Sequence, residues 1–317
     1  MRSSLTQTAT GPVTAAASES MSAERLAKWS PTVVDWVEGD TAYISVVFTW
    51  HLQDAYQLAV FYKSQGLQVI VGGPGTFTRP KFFDGVAQVQ RHYPDAVRRH
   101  NPHATFASRG CPVGCWFCIV PKMEGREFTE LPDFPVRPIL CDNNLSALSP
   151  EYQDHIVKRY IDEDVPLLDA NSGFEPRTFT EDVYERWRVI NKGYWRFAYD
   201  DAKDEPHVKR VMHMLRHLNY RKKRVYVLIG NEPVDACLDR IYKVIGWGGD
   251  PYVQPFIKLN ALTKTPHVRF DWSRQLLRDV ARWCNGWTWK LASFDDYRRH
   301  VSKRDDRADT DQLALAL

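Results

Sequence analysis

Short apolar runs alternate with amphipathic stretches along most of this chain. The order begins near residue 43, where "YISVVFTW" has the density of apolar and β-branched residues expected of a buried strand. "LQDAYQLAVFYKSQG" follows as a helix ending at Gly66, and "LQVIVGGPG" as a second apolar strand closing in a glycine turn. Strand, helix and strand within about 30 residues make a βαβ unit. The pattern predicts a small α/β segment over residues 31–100, half of a Rossmann-like domain.

Beyond residue 100 the rhythm lengthens. "ATFAS" (104–108), "PILCD" (138–142), "PLLDA" (166–170), "WRFAYD" (195–200), "RVYVLI" (224–229) and "PYVQPFI" (251–257) read as strands. The intervals after the second strand each hold a helix with its own start signal: Ser149 before Pro150, Thr180 before Glu181 and Asp182, then Pro206 and Pro233. Val208, Val211, Met212, Leu215 and Leu218 form one apolar stripe able to pack on a sheet. Strands and helices alternating in this way predict a parallel sheet. Six units are too few for a closed eight-stranded barrel, and Pro251 and Pro255, which cannot donate ladder hydrogen bonds, suit an edge strand. The expectation is a partial (β/α)6 TIM-type barrel over residues 101–265, preceded by the small βαβ segment and followed by a helical tail over residues 266–317. Residues 1–30, rich in Ser, Thr and Ala, are expected to be disordered.

Composition narrows the class without changing this picture. With 42 Lys and Arg against 39 Asp and Glu, the net charge of +3 gives no global basic field of the kind that marks an obligate nucleic-acid binder. The one basic block, Arg221-Lys222-Lys223-Arg224, is expected to be a solvated turn ahead of a strand. No stretch approaches the ~20 apolar residues that cross a bilayer, and the N-terminus lacks the apolar core of a signal peptide. A cytoplasmic, reducing location is the expectation, and there clustered cysteines point to metal or redox chemistry rather than to disulfides.

Each predicted strand of the barrel ends in polar residues. Asp142-Asn143-Asn144, Asn171-Ser172-Gly173-Phe174-Glu175, Tyr199-Asp200-Asp201 and Gly230-Asn231-Glu232 follow four of them. Carboxyl ends of strands are where α/β barrels keep their chemistry, although any βα loop must also be polar and cap the next helix. After the first strand comes "SRGCPVGCWFCIVPK", which holds Cys111, Cys115 and Cys118. Three chemistries suit such a run. Structural zinc needs a fourth ligand, His103 being the nearest candidate, and usually a second hook that is absent here. A thioredoxin-like dithiol would use Cys115 and Cys118 and leave Cys111 without a role. An iron–sulfur cluster held at three irons would leave the fourth open to an outside ligand.

"RGCPVGCWFC" at the end of the first of six strand–helix units resembles the signature of the radical S-adenosylmethionine (radical SAM) superfamily. The resemblance implies that Cys111, Cys115 and Cys118 hold one [4Fe-4S] cluster. It further implies that S-adenosyl-L-methionine binds the open iron and is reductively cleaved to a 5′-deoxyadenosyl radical, which abstracts hydrogen from a substrate. It implies an electron donor such as a flavodoxin or ferredoxin. Phe117 matches the family's aromatic beside the adenine. Asp142 and Asn143 stand where the family contacts the SAM amino group, although the family more often has Gly-Gly-Glu there. Ser172, Glu175 and Arg177 fall in a segment that reaches the ribose or carboxylate, and Gly230 in one whose backbone receives adenine. Residues 31–100 resemble a reduced cobalamin-binding domain, but Thr49 stands where the Asp of the Asp-x-His-x-x-Gly motif would precede His51, so no corrin is expected. Cys141, Cys237 and Cys284 are isolated in sequence and are read as small core hydrophobes. Two other functions remain open: a radical SAM enzyme that modifies nucleic-acid bases, suggested by Arg221–Arg224 and "RWCNGWTWK", and a non-catalytic iron–sulfur or metal-binding protein. The substrate is not legible, nor is any residue acting on it.

Overall fold

The computed structural model describes residue 26, residues 28–90 and residues 96–300. Nearly all of the expected N-terminal extension, and residues 301–317 of the tail, lie outside the described residues.

The chain is a mixed α/β protein with several small sheets. Four strands form the first sheet: β1 (Val34–Glu38), β2 (Thr41–Ser45), β3 (Gln68–Gly72) and β4 (Gln88–Gln90). The expected βαβ unit is β2, α1 (Leu52–Ser64) and β3, with β2 and β3 parallel. β1, which the pattern did not predict, pairs antiparallel with β2 around Gly39, whose φ of 58° suits glycine. Its alternation of half-buried and exposed residues marks an edge strand. Ile44, Val46, Leu52, Ala55 and Val71 form the core of this unit.

All six strands expected after residue 100 are present. β5 (Ala104–Thr105), β8 (Ile139–Leu140) and β9 (Asp169–Ala170) form one parallel sheet. β10 (Trp195–Ala198), β11 (Lys223–Ile229) and β12 (Asp250–Pro255) form another. No closed barrel forms, and the six strands are not one continuous ladder. Between β9 and β10 stand a single parallel bridge, Leu167 to Asn191, and the bond from Phe174 N–H to Arg196 O at 2.8 Å. Glycine permits this close approach: a Cβ on Gly193 would lie 2.0 Å from Leu168 O, and one on Gly173 2.4 Å from Arg196 O. "ATFAS" is likewise split, because β6 (Ser108–Arg109) leaves the parallel sheet and pairs antiparallel with β7 (Thr129–Glu130).

The helices start where their signals stand. Ser149 caps α2 (Pro150–Asp162) by accepting from Tyr152 N–H, and Thr180 caps α3 (Glu181–Trp187) by accepting from Val183 N–H. α4 (Glu205–Met214) buries Val208, Val211 and Met212. α5 (Val234–Gly246) and α6 (Arg274–Asn285) pack with β11 and β12 in a core that holds Trp283, Ile241 and Val227. The expected tail is therefore partly built into the fold. Phe174, Phe179, Trp187, Trp195 and Phe197 pack mostly edge to face at the β9–β10 junction, and Trp187 Nε1 donates to Gln153 Oε1 at 2.9 Å. Such ring pairs are worth about 0.5–1.5 kcal/mol each beyond their buried area. The basic block is only half solvated: Arg221 and Lys222 are exposed, Lys223 is buried, and Arg224 turns in to pair with Asp250 at 2.9 Å.

The glycine at the junction yields the first prediction. Gly193→Ala should destabilise the protein by about 1–3 kcal/mol, because its methyl meets a backbone carbonyl that cannot give way. Gly246→Ala, with nothing within 4 Å of its Cβ, should instead be neutral or stabilise by up to about 1 kcal/mol. Urea unfolding midpoints of the two variants test this, and equal midpoints would contradict the packing described at the junction.

Candidate functional site

The cysteine run is a long excursion closed at its root. β6 and β7 pair below it, with Ser108 opposite Glu130 and Arg109 opposite Thr129. Cys111 N–H donates to Gly125 O at 3.3 Å, which closes the next rung. Gly110 has φ 92°, and a Cβ there would lie 2.1 Å from Glu127 O, so the two arms can approach only with glycine at this position.

Two buried carboxylates hold this root. Asp142 is fully buried and accepts from Ala107 N–H at 2.8 Å and from the Ser108 hydroxyl. It thereby bends the chain out of β5 and ties it to the end of β8. The Glu124 side chain is only 4% exposed; it pairs with Arg109 and accepts from Gly110 N–H at 2.9 Å and Asn143 Nδ2 at 2.8 Å. Asn143 also donates to Gly110 O at 3.2 Å. Asp142 and Asn143, expected at a ligand, are thus engaged with the loop itself, and both Asp142 oxygens are committed. Glu124 was not singled out in the sequence. It arrives through the turn at Gly125 (φ 95°), for which the only sequence signal is the pair Glu-Gly.

The three thiols are half-buried neighbours. Burial first, with Cys118, Glu175 and Cys111 adding to it and Arg177 opposing, pushes the Cys115 thiol up to about 11. Burial also raises Cys118, opposed by the Val120 N–H, with Cys111 and Glu124 adding to the rise. Asn144, itself buried, directs Nδ2 to Cys111 Sγ at 3.8 Å. Among the described residues, no three His, Cys, Asp or Glu side chains gather closely enough to hold a single metal ion.

Around the thiols, Glu175 and Arg177 form an ion pair at 2.7 Å beside Cys115, with Asp204 3.7 Å from Arg177. Ser172 is exposed on the same rim. Phe117 lines a cleft of about 380 Å³ with Trp116, Phe256, Lys122 and Lys258. Phe77 and Thr78 of the first sheet's unit complete the cleft. The contact from the Thr49 hydroxyl to Ala261 O at 2.5 Å brings that unit against the loop after β12. Gly230 is not open to a ligand: it is buried, its carbonyl accepts from Arg269 N–H at 3.1 Å, and a Cβ there would lie 3.0 Å from His267 O. His51 stands 3.3 Å from Asp54 on the surface of the first unit. Cys141, Cys237 and Cys284 are buried and isolated, as expected of core thiols.

Comparison of the chain with known protein families and with curated proteins finds no match. No helix among the described residues is long and apolar enough to cross a membrane.

The Asp142 staple has a titration signature. Burial in the first place raises its carboxyl to about 6, against the opposing hydrogen bonds from Ser108 and Ala107. The folded protein therefore holds this proton more tightly than the unfolded chain does between about pH 4 and 6, and stability falls as pH rises through that window, by about 2–3 kcal/mol from this group. Asp200, raised by burial to about 6, acts in the same direction. Asp142→Asn removes the first contribution only. The stability difference between wild type and variant should shrink from pH 4 to pH 7 by about 2–3 kcal/mol. A difference constant across that range would show that Asp142 is not raised.

Proposed function

We propose that this chain is a radical S-adenosylmethionine enzyme in which Cys111, Cys115 and Cys118 hold one [4Fe-4S] cluster. The observation that carries the reading is the surroundings of the three thiols at the end of β5. Cys118 and Cys111 both act on Cys115, Cys111 acts on Cys118, and Asn144 and the Val120 amide direct N–H groups at sulfur. Burial keeps the metal-free thiols of Cys115 and Cys118 protonated, whereas bound iron would hold them as thiolates. Three sulfur donors without a fourth suit a cluster with one open iron. When bound, the cluster supplies the electron that splits the sulfonium of S-adenosylmethionine to a 5′-deoxyadenosyl radical.

The strands β5, β8, β9, β10, β11 and β12 are read in this proposal as six units of one curved half-barrel, interrupted at the β9–β10 junction. Glu175 and Arg177 offer one acidic and one basic group beside Cys115, suited to the amino and carboxylate ends of the methionine moiety; Arg binds a carboxylate through two parallel hydrogen bonds. Phe117 and Phe256 give apolar walls for a purine ring. Asp142, Asn143 and Glu124 fix the loop and do not touch the ligand. Substrate would lie on the open face of the second sheet, where Ala198 and Gln254 are exposed. A low-potential donor of the flavodoxin or ferredoxin kind would supply the electron.

Anaerobic reconstitution with iron and sulfide should give about four irons per chain, and the dithionite-reduced protein should release 5′-deoxyadenosine from S-adenosylmethionine. Cys111→Ala, Cys115→Ala and Cys118→Ala should each lose the 400 nm-region cluster absorbance and the nucleoside while keeping the wild-type far-UV circular dichroism. A single variant that kept both would refute the ligand assignment. A wild-type cluster that never yields the nucleoside would mark a non-catalytic iron–sulfur protein.

A further inference from the structure

At the opposite end of β11 from the cysteine loop, the fold joins two segments that lie far apart in the sequence. Residues 220–222 meet residues 287–290. Lys290 Nζ sits 3.4 Å from the centre of the Tyr220 ring, and Trp289 meets that ring edge-on at 6.0 Å. The Arg221 guanidinium lies 5.4 Å from the Trp287 ring and donates from Nε to the Tyr220 hydroxyl at 2.8 Å. Lys222 joins the patch and reaches the Lys192 carbonyl with its ammonium at 2.6 Å.

These cations differ from the buried and half-buried arginines that carry the fold's ion pairs. Arg109, Arg177, Arg196, Arg224 and Arg240 all pair with carboxylates. Arg221, Lys222 and Lys290 pair with none among the described residues, and all three are exposed. Asp250, close by, is committed to Arg224 and to Trp287 Nε1, which donates to it at 2.7 Å. The site is a cluster of uncompensated positive charge interleaved with rings, on a chain whose net charge is only +3.

We propose that this patch binds single-stranded nucleic acid, with Arg221, Lys222 and Lys290 on backbone phosphates and Tyr220 and Trp287 offering ring surface to bases. A purely acidic polypeptide such as polyglutamate supplies anions but no ring faces. A duplex keeps its bases stacked inside. An unpaired strand presents both groups at once, and aromatic side chains set in a basic groove are the usual means of holding it. The patch lies about 20 Å along β11 from the Gly230 rim, so it anchors a strand and is not itself a place of chemistry. It does not depend on the presence of a cluster.

The test is fluorescence anisotropy of a labelled single-stranded RNA oligonucleotide with the full-length chain over a salt series. Each phosphate neutralised contributes about −0.7 to the slope of log affinity against log salt, so a slope of about −2 is expected. Arg221→Gln and Lys290→Gln should each flatten the slope by about 0.7. Tyr220→Leu should weaken binding about tenfold and leave the slope unchanged. All three variants alter exposed or half-exposed residues, and matching far-UV circular dichroism confirms that they are folded. Unlabelled duplex RNA and polyglutamate should compete poorly. The proposal is overturned if the wild type shows no binding, if the duplex competes as well as the single strand, or if polyglutamate competes equally and Tyr220→Leu has no effect. The last result would mark a plain polyanion surface.

Discussion

The cysteine loop depends on buried carboxyl groups placed under its root. A carboxylate removed from water is costly unless its oxygens are hydrogen-bonded, and both Asp142 and Glu124 meet that condition by taking donors from the loop's own backbone and flanks. The requirement works in both directions. The carboxylates need those donors, and the donors can reach them only if the chain turns out of β5 at Ala107 and doubles back at Gly125. A loop of this length would otherwise sample many shapes. Here hydrogen bonds to Asp142 and Glu124 fix the root, and Cys115 is placed beside Glu175 and Arg177.

This preorganisation bears on the proposed chemistry. Neighbouring thiols in a half-buried site resist ionisation, as the upward shifts at Cys115 and Cys118 show. Neutral thiols at Cys115 and Cys118 avoid the repulsion of neighbouring thiolates. In the proposed cluster bound iron would hold them as thiolates instead, with the N–H groups of Asn144 and Val120 directed at sulfur. The cleft beside Phe117 is built differently, from the loop, the segment after β12 and the first unit together. The small βαβ unit thus contributes Phe77 and Thr78 to the walls of that cleft.

Much of the fold was legible because its signals are local. Apolar runs, caps at Ser149 and Thr180, and the stripe on α4 each follow from residues a few positions apart. The break between β9 and β10 was not legible, since it arises where Gly173 and Gly193 let distant backbone segments touch. At the site, the cysteines were evident from spacing. The role of Asp142 was misread, although alternation along the strand carried the information: Asp142 shares the parity of Leu140, which faces the helix-side core, and not that of Cys141. Glu124 could not be found from spacing, because the turn at Gly125 brings its targets to it, whereas Asn144 stood in the polar run after the second strand and reaches Cys111 Sγ. The basic block divides for the same reason: strand parity and the reach of Asp250 draw Arg224 inward and leave Arg221 and Lys222 outside.

The central claim is that three thiolates leave one iron open for S-adenosylmethionine. Mössbauer spectroscopy of protein reconstituted with iron-57 tests it most directly. With S-adenosylmethionine added, about one iron in four should change its isomer shift and quadrupole splitting while the other three stay alike. Four irons that remain unchanged by S-adenosylmethionine, or iron that never assembles into a cluster, would contradict the account.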